Sequence, residues 1–286
     1  MNESRLDRAR VRRFFDLAAD SYDESAVLQR EVGERMLERL DYVRLEPAVV
    51  LDAGCATGRF VRRLGKRYRR ARVIGLDLSS AMLRAARRRQ GWFGRTPLVA
   101  GDLARLPLAD GSVDLVFSNF AVQWCDPLDQ AMNEFRRVLR PGGLLMFTTF
   151  GPDTLHELRT AWGTVDRYSH VSPFPDMHEV GDTVAAAGFS GTVMDMELFT
   201  LTYPTVRRLM EDLRAIGARN ATRERPRGLT GPRRMAAVEA AYERFRTADG
   251  VLPATYEVIY GHAWAPEGQP GEVAIPLASI GGRGER

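Results

Sequence analysis

An α/β architecture with a doubly wound parallel sheet follows from three features of the chain. From about Val49 onward, short apolar runs alternate with longer amphipathic stretches, the strand–helix rhythm that parallel sheets require. The first apolar run ends in a glycine-rich turn, Asp52-Ala53-Gly54-Cys55-Ala56-Thr57-Gly58. The next two runs also end in acidic positions, Asp77 and Asp102.

Residues 1–46 read as one or two helices in front of the sheet. Val49–Gly54 is a buried strand, and Arg59 to about Arg69 the helix after it. Arg72–Asp77 is the second strand, with Ser79 placed to cap a helix running to about Arg89. Leu98–Ala100 and Val113–Ser118 are strands three and four. A helix over Pro127–Leu139 stops at Arg140-Pro141-Gly142-Gly143, a strong turn signal, and Leu144–Thr149 is strand five. Beyond Phe150 the alternation loosens. The pattern predicts a helix near Met177–Ala187, a strand over Val193–Leu201, helical stretches over Pro204–Gly217 and Pro232–Arg246, and a last strand, Thr255–Trp264, rich in β-branched and aromatic residues. The expected organisation is therefore a helical segment at 1–46, one sheet domain at 47–265 carrying a helical insertion at 203–250, and a tail at 266–286. Val273-Ala274-Ile275 in that tail is a possible edge strand.

Composition narrows the function classes. The 286 residues are 44% hydrophobic and 27% charged, ordinary for a globular chain. No apolar run of about 18 residues exists to cross a membrane, and the charged N-terminus lacks a signal-peptide core. Cys55 and Cys125 are the only cysteines, without zinc spacing, so a reducing cytoplasm is expected. With 41 basic and 37 acidic residues, the net charge of +4 does not demand nucleic acid. Lys66 is the only lysine, and arginine supplies the rest of the positive charge. The isoelectric point near 9.3 is compatible with an acidic partner.

The chemistry is concentrated at the strand ends. Glycines at 54 and 58 let the backbone approach a ligand closely. The central glycine of GxGxxG is missing and no GK[ST] follows, which disfavours a pyrophosphate site and excludes a P-loop. Asp77, 23 positions after Gly54, can accept both hydroxyls of a ribose. Asp102 can meet an adenine amino group. The ligand so described is an adenosine without a phosphate requirement, bound at the carboxyl ends of adjacent strands.

In this order, the glycine loop, the ribose acid and the adenine acid resemble the class I S-adenosylmethionine-dependent methyltransferases. The departure is Ala56, where that family usually has glycine; alanine is expected to fit if its φ is negative. The resemblance implies a Rossmann-like, seven-stranded sheet with a reversed last strand. It narrows further. Phe15–Asp23 with Leu28-Gln29, Ser118–Cys125 (SNFAVQWC), Gly151–Leu158, Leu213–Ala218 and Leu252–Val258 are similar to segments of the malonyl-acyl-carrier-protein O-methyltransferases of biotin synthesis, the BioC family. The similarity spans roughly residues 11–265.

That resemblance implies a S-adenosylmethionine-dependent enzyme whose acceptor is the free carboxylate of malonyl-acyl-carrier protein, with S-adenosylhomocysteine as product. The implied cofactor positions are Tyr22, Gln29, Asp52, Gly54, Cys55, Ala56, Gly58, Asp77, Leu78, Met82, Asp102, Leu103, Asn119 and Phe120. Gln123, Trp124, Arg214 and Tyr256 are implied at the reacting end, with Arg214 as partner of the carboxylate. A carboxylic acid is already ionised at neutral pH, its pKa being about 4, so no general base is needed. Placement and exclusion of water then carry catalysis, and the insertion would serve as a lid. Arginines at 223, 225, 227, 233 and 234 are candidates for docking an acidic carrier. No metal, membrane or nucleic-acid partner is expected. The base-methylating N/D-P-P-Y motif is absent, that place reading Ser118-Asn119-Phe120-Ala121. The alternative is a methyltransferase-like assembly factor of respiratory complex I that modifies a protein arginine, which shares the Tyr203–Leu213 segment.

Overall fold

The computed structural model describes residues 6–90, 96–226, 228 and 230–267. Seven strands form one sheet in the order β3-β2-β1-β4-β5-β7-β6. These are β1 (Val49–Ala53), β2 (Arg72–Asp77), β3 (Leu98–Ala100), β4 (Val113–Asn119), β5 (Leu139–Phe150), β6 (Ser190–Tyr203) and β7 (Leu252–Trp264). β1 to β5 are parallel, and β7 is antiparallel to both β5 and β6. The order reverses between β1 and β4, so the glycine loop after β1 opens at the crevice where such sheets bind ligands.

The apolar runs are buried on both faces, as central parallel strands must be. Leu51, Leu76, Val116 and Leu145 pack with Met132 and Phe135 of α6 (Asp129–Val138) and with Val180 and Val184 of α8 (Met177–Ala186). On the other face, Val50, Leu115, Phe117 and Met146 meet Met36 and Leu40 from the N-terminal segment and Phe60 and Leu64 of α4 (Arg59–Arg67). Ser79 caps α5 (Ser80–Arg89) by accepting the Met82 amide.

Several expectations are corrected. The N-terminal segment forms three helices, α1 (Arg8–Ala18), α2 (Tyr22–Ser25) and α3 (Val27–Arg39). α7 (His156–Gly163) was not foreseen; it is short and starts beside Leu155, whose φ is +55°. Arg140–Gly143 follows α6 and interrupts the pairing of β5 with β4: Val113 faces Leu139 but Leu115 faces Leu144, so these four residues bulge, and Gly142 has φ +74°. The strand continues through the bulge, because the Gly142 amide donates to the Ala265 carbonyl at 2.8 Å and Gly143 accepts from the Ala265 amide at 2.8 Å. The insertion holds α9 (Val206–Ala215) and α10 (Pro232–Tyr242), packed through Leu209, Val238 and Tyr242 onto α7 and β7. Residues 268–286, including the possible strand at 273–275, lie outside the described residues.

The N-terminal helices and the insertion are fastened to each other above the crevice. The Asp7 amide donates to the Ala221 carbonyl at 2.9 Å, and the Ser21 hydroxyl donates to the Ala215 carbonyl at 2.9 Å. Val11 and Phe14 share a buried cluster with Ala221, against which Leu78 and Trp124 pack.

Candidate active site

The loop after β1 is shaped by β2. Both the Gly54 and Cys55 amides donate to the Leu76 carbonyl, at 2.8 and 2.9 Å. The Ala56 amide donates to Asp77 Oδ2 at 2.8 Å, while Asp77 Oδ1 accepts the Ser79 amide at 2.8 Å. Gly54 has φ +84°, and a Cβ there would stand 2.2 Å from the Ala121 Cβ, so glycine is required by conformation and by space. Ala56 has φ +44°, so the negative φ under which alanine would fit without strain is not what the loop adopts. This left-handed conformation costs a non-glycine residue about 1–2 kcal/mol. Phe120 and Leu155 are also at positive φ, +50° and +55°. All three residues line the cavities described next, where backbone strain characteristically gathers.

Three connected cavities run along the strand ends. One is lined by Asp52, Gly54, Cys55, Ala56 and Thr57 under Gln29 and Asn119. A second is lined by Asp77, Leu78, Asp102 and Leu103 under Arg8 and Phe15. The third lies beneath the insertion, with Gln123, Trp124, Phe150, Tyr256, His170 and Arg219 in its walls. Tyr22 lines all three.

The electrostatics differ from cavity to cavity. Asp52 Oδ2 is buried without a hydrogen-bond partner. Burial, with the Asp77 charge second, pushes Asp52 up to about 8. Burial also pushes Asp77 up to about 6, against the pull of the Ser79 and Ala56 amides. Asp102 pairs with Arg8 at 3.2 Å and accepts the Ala104 amide. The third cavity has no Asp, Glu, Lys or Cys among its lining residues. Burial holds the Tyr22 and Tyr256 phenols well above their usual range, and it pushes Cys125 up to about 12. His170 stacks on Trp162, ring centroids 3.6 Å apart, and its Nε2 lies 2.9 Å from Asp166.

A methyltransferase domain model matches residues 51–147. A malonyl-acyl-carrier-protein O-methyltransferase of Methylovorus sp. MP688 is 55% identical, covering 95% of this chain and 92% of its own length. That of Halorhodospira halophila is 52% identical, covering 96% of each. The chain belongs to the malonyl-acyl-carrier-protein O-methyltransferase family. Among solved structures, Bacillus subtilis YcgJ has a TM-score of 0.57 at 17% identity, covering 82% of this chain and 98% of its own. Haemonchus contortus phosphoethanolamine N-methyltransferase 2, solved with S-adenosyl-L-methionine, scores 0.55 at 16% identity, covering 90% and 60%. These two show the fold. Membership of this methyltransferase family, with its class I fold, implies S-adenosylmethionine as methyl donor.

The residues in the cavities fit that donor. Asp52 Oδ2 is a buried acceptor for an ammonium group, and each Asp77 oxygen keeps a lone pair for a ribose hydroxyl beside the amide it already holds. Most of the positions expected from the methyltransferase resemblance gather here, but not all. Gly58 and Met82 line none of the cavities described. Gly58 makes room for α5, since a Cβ would stand 3.0 Å from the Ala86 Cβ. Met82 is fully buried against Ala18 and Ala19. Asn119 lines two cavities, yet its amide is committed to the Gln29 carbonyl and to Thr148. Gln123 donates to the Phe120 carbonyl at 2.8 Å, and its Oε1 is buried without a partner.

Arg214 is placed outside the third cavity, in an adjoining groove; Arg219 lines both. The 223–234 arginines do not form one free surface. Arg225 donates to the Thr222 carbonyl and faces Asp7 at 3.8 Å. Arg234 pairs with Asp166. Arg227 lies outside the described residues. Sequence reasoning missed Asp16, which holds α1 to the start of α5 through Ser79 and Ala81. It also missed Asp23, which accepts from Thr57 in the loop. Asp16 stands among Phe15, Leu17 and Ala18, and Asp23 beside Glu24; neither is distinguishable until the helices are placed.

Proposed function

We propose that the chain is a carboxyl O-methyltransferase that uses S-adenosylmethionine to convert the free carboxylate of malonyl-acyl-carrier protein to its methyl ester, in the synthesis of the pimeloyl part of biotin. The relatives named above carry that activity in their names. The observation that carries the reading is the third cavity, which meets the other two at Tyr22 and offers no carboxylate, amine or thiol in its walls. Such walls suit an acceptor that is already an anion: it has no proton to give up, and no carboxylate among the described walls repels it.

When bound, S-adenosylmethionine supplies an electrophilic methyl group on a sulfonium. The chain's own residues do the rest. Asp52 and Asp77 hold the polar ends of the donor, while Gln29, Leu78, Asp102, Leu103 and Phe120 complete its walls. Tyr22 stands at the junction with its phenol protonated. Phe120, Phe150 and Tyr256 form an aromatic floor, Phe120 and Phe150 being stacked 4.3 Å apart, and they exclude water from an acceptor carboxylate that hydration would blunt. Arg219, the arginine in those walls, is the partner of that carboxylate, the role expected of Arg214 from sequence. An arginine fork matches a carboxylate in two hydrogen bonds. Gln123 offers an acceptor to an N–H of the incoming group.

Arg219→Gln should lower kcat/KM for a malonyl thioester by about 10- to 100-fold, the scale of a hydrogen bond to a charged group, and Arg219→Lys should restore part of it. Steady-state rates at saturating donor measure this. Unchanged kcat/KM in Arg219→Gln would remove it from the site. The protein-arginine alternative is not favoured: the relatives are named for carrier-bound malonate, and no wall carboxylate is available to hold a guanidinium acceptor.

A further inference from the structure

Beside the acceptor cavity lies an open groove of about 380 Å³ between α1, α9 and the loop after α9. It runs into that cavity through walls common to both, among them Leu158, His170, Leu213, Arg219 and Asn220. Four arginines line it, Arg10, Arg214, Arg219 and Arg225, with no acidic residue among its described walls. Arg10 and Arg214 are exposed and have no carboxylate partner among the described residues. Arg225 has only the 3.8 Å approach of Asp7. Arg10 and Arg219 both lie over the Phe14 ring, at 5.2 and 5.4 Å from its centroid. The Arg219 Nε is buried without a partner. Burial, then Arg214 and Arg10, hold the Arg219 guanidinium below its usual value, so the like charges oppose one another.

Other arginines of this chain are paired with carboxylates, Arg35, Arg59, Arg67, Arg137 and Arg140 among them, whereas this groove gathers four with no acidic residue among its described walls. Concentrated positive charge without an acid, leading to a reaction cavity, fits a ligand with an anion behind its reacting end. An acyl carrier presents its acyl group as a thioester on a long arm, joined to the carrier by a phosphodiester. The neighbouring cavity, about 800 Å³ and also open, does not match this chemistry: Asp166 and Glu224 share its walls with Arg159, Arg167 and Arg223.

We propose that the groove receives the phosphodiester of the carrier's prosthetic arm on Arg10 and Arg214, with the thioester end directed past Arg219 into the acceptor cavity. This assignment rests on the carrier-bound acceptor proposed above and deepens it: the arm's phosphate, rather than the carrier's acidic surface, is what the groove reads.

The test uses the full chain and two readouts. Binding of free phosphopantetheine, which has no malonyl group, is measured by calorimetry for the native chain, Arg10→Gln/Arg214→Gln, Arg214→Lys and Arg167→Gln. The double variant should bind roughly 10- to 100-fold more weakly, Arg214→Lys should stay close to native, and Arg167→Gln should be unchanged. Turnover is then compared on malonyl-carrier protein and on malonyl-N-acetylcysteamine, a thioester without phosphate. The double variant should lose activity on the first through KM and keep it on the second. Equal phosphopantetheine affinity in native and double variant, or no binding by either, would overturn the assignment. So would a loss seen with carrier protein but not with phosphopantetheine, or a loss confined to Arg167→Gln. Failure of the native chain to methylate either malonyl thioester would instead sink the function proposed above, with the binding series still deciding the groove.

Discussion

Asp77 joins a structural role to its part in the donor site proposed above. Its two oxygens hold the Ala56 and Ser79 amides, and so set the loop and the start of α5 at once. Asp77→Asn should therefore weaken S-adenosylmethionine binding by more than a ribose contact alone, because an amide NH2 would face one of those N–H donors. The expected loss is about 1.5–3 kcal/mol or more, read by calorimetry; native affinity would mean the carboxylate holds only the loop. Asp52 makes a second prediction. Raised to about 8 beside Asp77 at about 6, both acids sit above an ordinary aspartate near 3.9. The folded chain thus holds more protons than the unfolded one between about pH 4 and 8, and their contribution to stability falls as pH rises through that window. A cationic donor favours the ionised form, so its binding near pH 7 should release protons and tighten from pH 6 to 8. Calorimetry in two buffers of different ionisation enthalpy checks it; zero net release at pH 7 contradicts it. The glycine loop, Asp77 and Asp102 could be read from sequence because their spacing is local. The strain at Ala56, Phe120 and Leu155 could not, since a φ angle depends on what β2 and the insertion press against.

At the scale of elements, the cover over the crevice depends on contacts distant in sequence. Just beyond the end of α9 stands Gly217, with φ +77°, where a Cβ would stand 3.0 Å from Phe15 Cδ1 and 3.3 Å from the Phe14 carbonyl. Gly217→Ala should destabilise the fold by about 1 kcal/mol or more through its left-handed backbone. It should also displace Phe15, a wall of the second and third cavities, so on the function proposed above donor affinity should fall along with melting temperature. A lower melting temperature with unchanged affinity would separate the cover from the site. The helices of the insertion were legible from their apolar spacing, and β1, β2 and α5 from runs bounded by glycine or a serine cap. α7 was not, because eight residues give too little periodicity. The turn signal at Arg140–Gly143 marks a bulge inside β5 and not the strand's boundary, because Ala265, far along the chain, supplies the hydrogen bonds that hold those glycines to the sheet.

For the whole molecule, seven strands place the first two cavities at the switch between β1 and β4, and the reversed β7 brings Tyr256 to the third. The N-terminal helices and the insertion close over both and meet at Asp7–Ala221 and Ser21–Ala215. Position along the chain did not reveal which arginines face inward. Arg214 and Arg219 are five residues apart, and only the turn at Gly217 sends the second into the cavity wall. The central claim is that this enclosure esterifies a free carboxylate without a base. Intact-protein mass spectrometry of malonyl-carrier protein and acetyl-carrier protein, each incubated with the chain and S-adenosylmethionine, tests it most directly. The malonyl form should gain the mass of one methyl ester, and the acetyl form, which offers no nucleophilic oxygen, should be unchanged. An unmodified malonyl-carrier protein, or equal gain on both, would contradict the account.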